Sequence, residues 1–314
     1  MLNTVFLLLV VLGLATQNVA RKSFNSRTTG GAFTFSAASC LFSLLVFVIS
    51  SGGEFDFSIE VLPYSVLFAA AYVTATACVY FSISFGSLAL TSLIVQYSLI
   101  IPTVFGFVLW GEKISLLVIV GIILLCISLA LINCNGKSKK NDEADGDAEP
   151  AFEDGFHRKR NETAPGGAQK NITPKWIIYV FLAFVGNGLC STVQKAHQMK
   201  FDGKYESEMM ICALLLSFIS LFALALIKER SDIKGALKTG CIQCTVCGFA
   251  NGAVNLLVLT LSLKMAASLM FPIISAGGIV ATYLVSLFIY RERMTRSETA
   301  GMIIGIASII ALNL

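Results

Sequence analysis

The stretches "FGFVLWGEKIS" (105–115) and "LFIYRERMTRS" (287–297) follow one pattern at two places in the chain. In each, a long apolar run ends in an aromatic residue and a pair of opposite charges, Glu112–Lys113 in one and Glu292–Arg293 in the other. A second apolar run then begins within a few residues. A charged turn between two long apolar runs predicts two helices that leave and re-enter the same apolar environment. Its recurrence indicates a duplicated unit.

The composition excludes most soluble folds. Of the 314 residues, 56% are hydrophobic and only 13% are charged, with a mean hydropathy of +0.78, whereas soluble domains are about 25% charged. Apolar runs of about 20 residues recur, long enough to cross a hydrocarbon core of about 30 Å. Because the runs are continuous rather than alternating, we expect helices in a lipid bilayer rather than a barrel. The net charge of +4 gives no indication of a nucleic-acid partner, and we expect none.

We therefore predict an all-α membrane protein with ten transmembrane helices. The predicted spans are about 2–20, 31–50, 61–82, 86–109, 115–134, 175–195, 208–227, 240–262, 265–290 and 297–314. Residues 135–174 are polar, charged and punctuated by Gly and Pro, which predicts a flexible linker. The linker separates a first five-helix unit, 1–134, from a second, 175–314. No basic residue precedes the first apolar run, so we expect it to be retained as a span.

The two units align when the second is shifted by 180 positions onto the first. Glu112 then meets Glu292, Gly121 meets Gly301, and Ser128 meets Ser308. Because five is odd, tandem units of five spans enter the membrane from opposite sides, which predicts inverted repeats. Such repeats are a recurring architecture of secondary transporters, with the solute site near the midplane between the halves.

Ten spans in two units, each with a long span ending in "WGEK" or "YRER" before a short last span, resemble the drug/metabolite transporter superfamily. The resemblance is to its EamA-like ten-helix branch, and "GNGLCSTVQK" (186–195) in the sixth span resembles that branch too. It implies a transporter of small metabolites, amino acid-like or other polar solutes, or of toxic organic compounds. The small four-helix relatives carry a glutamate in the first span for proton-coupled efflux. The first span here has no carboxylate, so that mechanism is not expected.

Polar side chains inside spans are costly and are therefore candidates for solute binding. Asn251 and Asn255 are four residues apart and share one helix face. They could contact a polar solute or form a hydrogen-bond clamp between helices. The full set of polar candidates is Gln17, Asn18, Gln96, Tyr97, Asn187, Gln194, Asn251 and Asn255.

The ninth span contains three residues that weaken a helix, namely Pro272, Gly277 and Gly278. Proline removes a backbone donor, and glycine lowers helix propensity. The span could therefore contain a loosened segment beside a solute cavity. A simple kink or a close packing site is the alternative.

Four charged or titratable side chains lie near the ends of predicted spans. We expect Lys195 to extend to the membrane interface and His197 to be solvated beyond its span. We expect Glu112 and Glu292 to cap or salt-bridge their turns.

Cys241, Cys244 and Cys247 recur at intervals of three in the eighth span. Successive turns of one helix do not converge on a metal ion, and no fourth ligand is nearby. We therefore expect packing, and neither a metal nor another cofactor. "GMIIG" (301–305) is a small-xxx-small motif that predicts a helix-packing face. That face could lie within the chain or between the chains of a homodimer.

Lys and Arg concentrate in the loops after the predicted first, seventh and ninth spans, and in the linker. The positive-inside rule then places the linker in the cytoplasm and both termini outside. The family resemblance implies the reverse. Either way, we expect a multi-pass protein of the cell membrane.

Two other classes of function are alternatives to a transporter of a small-molecule solute. A polytopic membrane enzyme requires a catalytic constellation at membrane depth, but the chain has only two histidines, His157 and His197. No carboxylate pair lies within a predicted span, so we expect no enzyme. A non-transporting membrane scaffold has no need of an inverted repeat.

Overall fold

The computed structural model describes residues 2–28, 30–53, 55–56, 58–85, 95, 97–112, 116–134, 174–288, 300–301 and 303–308. This part of the chain is helical and contains no strand. Its α-helices are α1 (Leu2–Arg27), α2 (Ala32–Ser50), α3 (Leu62–Phe85), α4 (Ile100–Leu109), α5 (Leu116–Cys134), α6 (Pro174–Phe201), α7 (Glu206–Lys228), α8 (Ile233–Lys264) and α9 (Ala267–Phe288). The 3-10 turns Ile59–Val61 and Tyr97–Leu99 precede α3 and α4. The described residues between 300 and 308 are also helical.

Six apolar helical segments in the described residues are long enough to cross a membrane. They are Asn3–Arg21, Ala32–Ser50, Ile59–Ser82, Pro174–Phe201, Glu206–Lys228 and Ile233–Lys264. Large apolar side chains such as Leu8, Ile49, Ile227 and Ile242 are exposed on their outer surfaces, as lipid-facing positions would be. The chain is therefore a helical protein suited to several membrane crossings. The predicted spans 86–109 and 297–314 lie partly outside the described residues, and so does nearly all of the predicted linker.

Helices from before residue 135 pack mainly against helices from after residue 173. α3 packs along α6, α1 along α8, and α2 against both α7 and α8. Two glycines illustrate how closely these helices approach. A Cβ on Gly186 would lie 2.8 Å from the carbonyl oxygen of Ala71, and a Cβ on Gly13 would overlap Val254. The core is thus made between the two parts of the chain.

Hydrogen bonds fix the relative directions of the helices. Glu229, which follows α7, accepts bonds from Phe33 and Thr34 at the start of α2, so α2 and α7 are antiparallel. We call the end of the bundle that contains Thr28 and Glu229 face A. We call the opposite end, with residues 51–53, 202–205 and 265–266, face B.

A second pair of bonds joins α5 to the helical residues near 300–308. Ser128 Oγ donates to the Gly301 carbonyl oxygen at 2.6 Å, and Ser308 Oγ donates to the Gly121 carbonyl oxygen at 2.8 Å. Higher numbers on one helix meet lower numbers on the other, so these helices are also antiparallel. A Cβ on Gly305 would lie 2.9 Å from Ser128 Oγ. The glycine motif at 301–305 therefore packs within the chain.

Candidate functional site

A chain of hydrogen bonds links polar side chains of α2, α6 and α8. Gln194 Nε2 donates to Asn255 Oδ1 at 2.7 Å, and Asn255 Nδ2 donates to the Asn251 carbonyl oxygen at 2.8 Å. Asn251 Nδ2 then donates to Ser43 Oγ at 3.0 Å. Gln194 and Ser43 are buried, whereas the two asparagines are half-buried. The structure thus brings three predicted residues together and adds Ser43, which sequence reasoning missed.

This network has the geometry of a hydrogen-bond clamp between helices, which is one of the two roles considered for Asn251 and Asn255. Its amides donate to one another and to a hydroxyl, and the hydroxyl of Ser43 donates on to the Gly248 carbonyl oxygen at 2.8 Å. Buried polar groups that are satisfied in this way hold helices together. Amides carry both donors and acceptors, so the half-buried pair could also exchange these partners for a polar solute.

A separate polar contact lies midway along α6. Asn187 Nδ2 donates to Ser98 Oγ at 2.6 Å, which joins α6 to the turn before α4. The neighbouring Gly188 permits this approach, because a Cβ there would lie 2.7 Å from the Ser98 carbonyl oxygen. Tyr97 belongs to the same turn, and Gln96 lies outside the described residues.

The two polar candidates of α1 point in different directions. Gln17 is buried, and its Nε2 has no hydrogen-bond partner among the described residues. Asn18 is exposed on the outer surface of α1. The structure therefore brings neither side chain into the network of Gln194, Asn251 and Asn255.

The weakened stretch of the ninth span packs closely. α9 continues through the buried Pro272 as far as Phe288. A Cβ on Gly277 would lie 2.6 Å from Val11 Cγ2 on α1, and one on Gly278 would lie 3.4 Å from Leu14 Cδ1. This geometry favours the close-packing alternative at Gly277.

At face B, two charged side chains hold the turn between α8 and α9. Lys195 Nζ donates to the carbonyl oxygens of Ser262 and Met265, the second at 2.8 Å. Glu112 accepts the backbone N–H groups of Ala267 at 2.7 Å and Ser268 at 2.8 Å. A cation thus meets the negative end of α8, and a carboxylate meets the positive end of α9. Glu112 follows α4 in the chain but caps α9, a helix that is distant in sequence. Glu292 lies outside the described residues.

The prediction that Lys195 extends to the interface is wrong. Its side chain is 3% exposed and reaches the last carbonyl groups of α8, which have no partner within their helix. The prediction that His197 is solvated is also wrong, because the residue is 0% exposed. α6 continues to Phe201 rather than ending near residue 195, so His197 lies within the packed helix.

At face A, Glu229 makes the contact that corresponds to Glu112. Its Oε1 accepts the N–H of Phe33 at 3.0 Å, and its Oε2 accepts the N–H and the hydroxyl of Thr34 at 3.0 and 3.1 Å. Sequence reasoning missed this residue. The available signal was the start of α2 at Gly31, which has no side chain to cap the helix.

The cysteines of α8 occupy two environments. Cys244 and Cys247 are buried in an apolar cluster with Phe24, Phe35 and Ala236, and Cys241 is exposed. Among the described residues, no group of three His, Cys, Asp or Glu side chains could hold a metal ion.

An open groove on the outer surface of α3 has only apolar lining. It is formed by Ile59, Leu62, Pro63, Val66, Leu67 and Ala70. None of the polar candidates lines it, so the groove offers no side-chain hydrogen-bonding group to a polar solute.

No family model and no curated protein matches the chain. A solved crystal structure of a protein is similar to it with a TM-score of 0.68. The two sequences are 12% identical, and the match covers 99% of this chain and 98% of that chain. At this identity the likeness shows the fold alone, over almost the full length of both proteins.

Proposed function

We propose that the chain is a secondary transporter that moves a small polar organic solute across a membrane. In this proposal, two inverted five-helix units alternate in opening a central site to either side. The observation that carries it is the pair of bonds from Ser128 to Gly301 and from Ser308 to Gly121. The 180-residue shift matches Ser128 with Ser308 and Gly121 with Gly301. Exchanging the two units therefore converts each of these hydrogen bonds into the other. Reciprocal contacts of this kind are expected across a two-fold axis.

The direction of the helices supports inversion rather than simple repetition. Because α5 and the helix near 300–308 are antiparallel, an axis relating them lies across the helices and hence in the plane of the membrane. α2 and α7, the second helices of the two units, are antiparallel as well. Inverted repeats with such an axis are characteristic of secondary transporters.

A second reciprocal contact supports the same relation. Gly13 of α1 packs on Ala250 and Val254 of α8, and Gly186 of α6 packs on Ala71 and Ala75 of α3. In each case, a glycine of the first helix of one unit approaches two residues, four apart, in the third helix of the other unit. The two contacts correspond when the units are exchanged.

The Asn187–Ser98 contact is our candidate for the solute site. It joins α6 of the second unit to the start of α4 in the first, midway along α6. A binding site at such a boundary can face either side when the units rock. Amide and hydroxyl groups favour a polar, amino acid-like solute over a hydrocarbon. The resemblance to the EamA-like branch of the drug/metabolite transporters supports the same class of cargo.

The test is solute counterflow with purified protein in proteoliposomes, using amino acids, nucleosides and organic cations. We expect Asn187→Leu to reduce counterflow of the accepted solute about tenfold, as expected when about 1.4 kcal/mol of polar contact is lost. Phe181→Leu is the matched control, because Phe181 lies on the same helix and is exposed. It should behave as the wild type does. Failure of the wild type to exchange any solute in the panel would contradict the proposal.

A further inference from the structure

His197 is a buried titratable group that the transport proposal does not use. It is 0% exposed, and neither ring nitrogen has a hydrogen-bond partner among the described residues. A neutral imidazole has one donor and one acceptor, and a buried polar group without partners is costly. Packing alone would be better served by an apolar side chain of similar size.

The ring occupies an aromatic pocket where the two units meet at face B. Tyr64 of α3 presents its ring edge-on with centroids 5.6 Å apart, and Phe201 of α6 lies at 4.9 Å. Tyr64 and Phe201 also contact each other, at 5.8 Å. The imidazole therefore fills the contact between α3 of the first unit and α6 of the second.

Two charged side chains beside this pocket, Lys200 and Glu206, have partners other than the imidazole. Lys200 Nζ lies 3.8 Å from Glu60 Oε2 and over the Tyr64 and Phe201 rings. Glu206 at the start of α7 accepts a bond from Gln198 Nε2 at 3.1 Å. The titratable and charged side chains at the face-B ends of the elements around the pocket are Glu60, Tyr64, Lys195, Lys200, Asp202, Lys204, Tyr205, Glu206 and Glu208. In this part of the chain, none of their polar atoms forms a hydrogen bond with the imidazole.

The other unit has phenylalanine at the matching place. Phe24 follows Gly13 by the same number of residues as His197 follows Gly186, and these two glycines make the reciprocal packing contacts described above. Phe24 is 2% exposed and packs against Gly240 of α8 near face A. Phe24 therefore fills the contact between α1 and α8 near face A, whereas His197 fills the contact between α6 and α3 near face B.

We propose that His197 is a proton-binding site that controls the opening of face B. The inference rests on the proposed transport function. A proton from the face-B solution adds a charge and a second N–H donor to a ring that has no acceptor in the closed packing. The neutral ring fits the pocket, whereas the protonated ring requires water or a carboxylate. Acidification on the face-B side is therefore expected to loosen the contact between α3 and α6.

Cys190 provides a native reporter for this opening. It lies two turns before His197 on the same side of α6, is buried, and contacts the Phe68 carbonyl oxygen of α3 through its Sγ. A variant that retains Cys190 as its only cysteine would be treated with a membrane-impermeant maleimide between pH 8 and pH 5. Thiolate chemistry alone makes labelling faster as the pH rises, so faster labelling in acid reports opening rather than thiol reactivity.

We expect labelling of Cys190, normalised to the unfolded protein, to increase at least about threefold between pH 8 and pH 5, because an imidazole that opening exposes to water becomes protonated below about pH 6.5. His197→Phe, which copies Phe24, should label slowly and without this pH dependence. His197→Gln keeps a polar side chain but cannot titrate in this range, and it should also lose the pH dependence. Thermal unfolding of both variants checks that they fold, and either folded variant is sufficient for the test.

Labelling of the wild type that does not change with pH would overturn the inference. It would also be overturned if a folded variant kept the acid response. The labelling assay needs no solute, so it is independent of the counterflow assay. If the wild type exchanges solute but its labelling does not respond to pH, only the proposed role of His197 is contradicted. A wild type that exchanges no solute contradicts the proposed function.

Discussion

At both faces of the bundle, a carboxylate from one part of the chain caps a helix of the other part, but the two contacts differ in strength. At face A, Glu229 of the second part of the chain caps α2 of the first, and at face B, Glu112 of the first part caps α9 of the second. Glu229 is 6% exposed and also accepts the Thr34 hydroxyl. Glu112 is half-buried, and among the described residues its carboxylate accepts hydrogen bonds only from the two backbone N–H groups of α9. A carboxylate at a helix N-terminus is stabilising in both places, but the burial and the third bond make the face-A contact the tighter one.

The difference extends to the residues around each contact. Apart from Glu229, the buried side chains described at face A are mainly apolar or neutral, such as Phe24, Phe35 and the amide of Gln243. Face B contains the buried Lys195 and also the buried His197, which lies beside aromatic rings. Buried polar groups make packing depend on protonation and hydration, whereas apolar packing does not. We therefore expect face A to remain fixed when face B opens.

The largest expected effect is at Glu229. Glu229→Ala removes three hydrogen bonds to a charged acceptor and leaves the start of α2 without a cap, so we expect the free energy of unfolding to fall by about 3 kcal/mol. Thermal or denaturant unfolding in detergent measures it. Arg230→Ala, at the adjacent exposed position, is the control and should change little. Equal stability of the two variants would show that the face-A contact is not tight.

The next effect is at Glu112. Glu112→Gln retains an oxygen acceptor but loses the charge beside the N-terminus of α9, so we expect a smaller loss of about 1.5 kcal/mol. We also expect faster maleimide labelling of Cys190, because the turn between α8 and α9 is released. Glu229→Gln is the matched comparison and should leave that labelling unchanged. Labelling that rises with Glu229→Gln instead would reverse the assignment of the fixed and opening faces.

The smallest effect on stability is expected for the network of α8, which lies between the faces. Asn255→Leu removes the acceptor of Gln194 and should cost about 0.6 kcal/mol, the average for hydrogen bonds between membrane helices. If the half-buried pair Asn251 and Asn255 contacts solute, either Leu variant reduces counterflow about tenfold, as expected for about 1.4 kcal/mol, at unchanged abundance. Val246→Leu, at an exposed position on the same helix, is the control. A collapse in abundance would identify the pair as a packing clamp.

The sequence was sufficient to locate the six long apolar helices. Continuous apolar runs predicted the six long apolar segments to within several residues at their ends, because length and hydropathy are local properties. The 180-residue shift also pairs Ser128 with Ser308 and Gly121 with Gly301, which are the four residues of the two reciprocal hydrogen bonds. The domain boundaries and the ten-span count remain predictions.

The charged contacts could not be predicted, because their partners are remote in sequence. Glu229 caps a helix that begins almost 200 residues earlier, and Lys195 reaches the end of another helix. A lysine near the end of an apolar run ordinarily extends to the interface. Here α6 is longer than predicted, and the last carbonyl groups of α8 have no partner within their helix, so Lys195 binds them instead of extending to the interface. Neither feature is visible as a local pattern in the sequence. The same extension of α6 buried His197.

The relation between the two units can be tested by the sidedness of matching helix ends. Single cysteines at Thr28 and Lys204, after the first helix of each unit, and at Ser51 and Ser231, after the second helix of each, would be labelled in intact cells with an impermeant maleimide. Inverted units predict that Thr28 and Ser231 are accessible from one side of the membrane, and Ser51 and Lys204 from the other. Labelling of Thr28 and Lys204 from the same side would contradict the inversion and, with it, the proposed mechanism of alternating access.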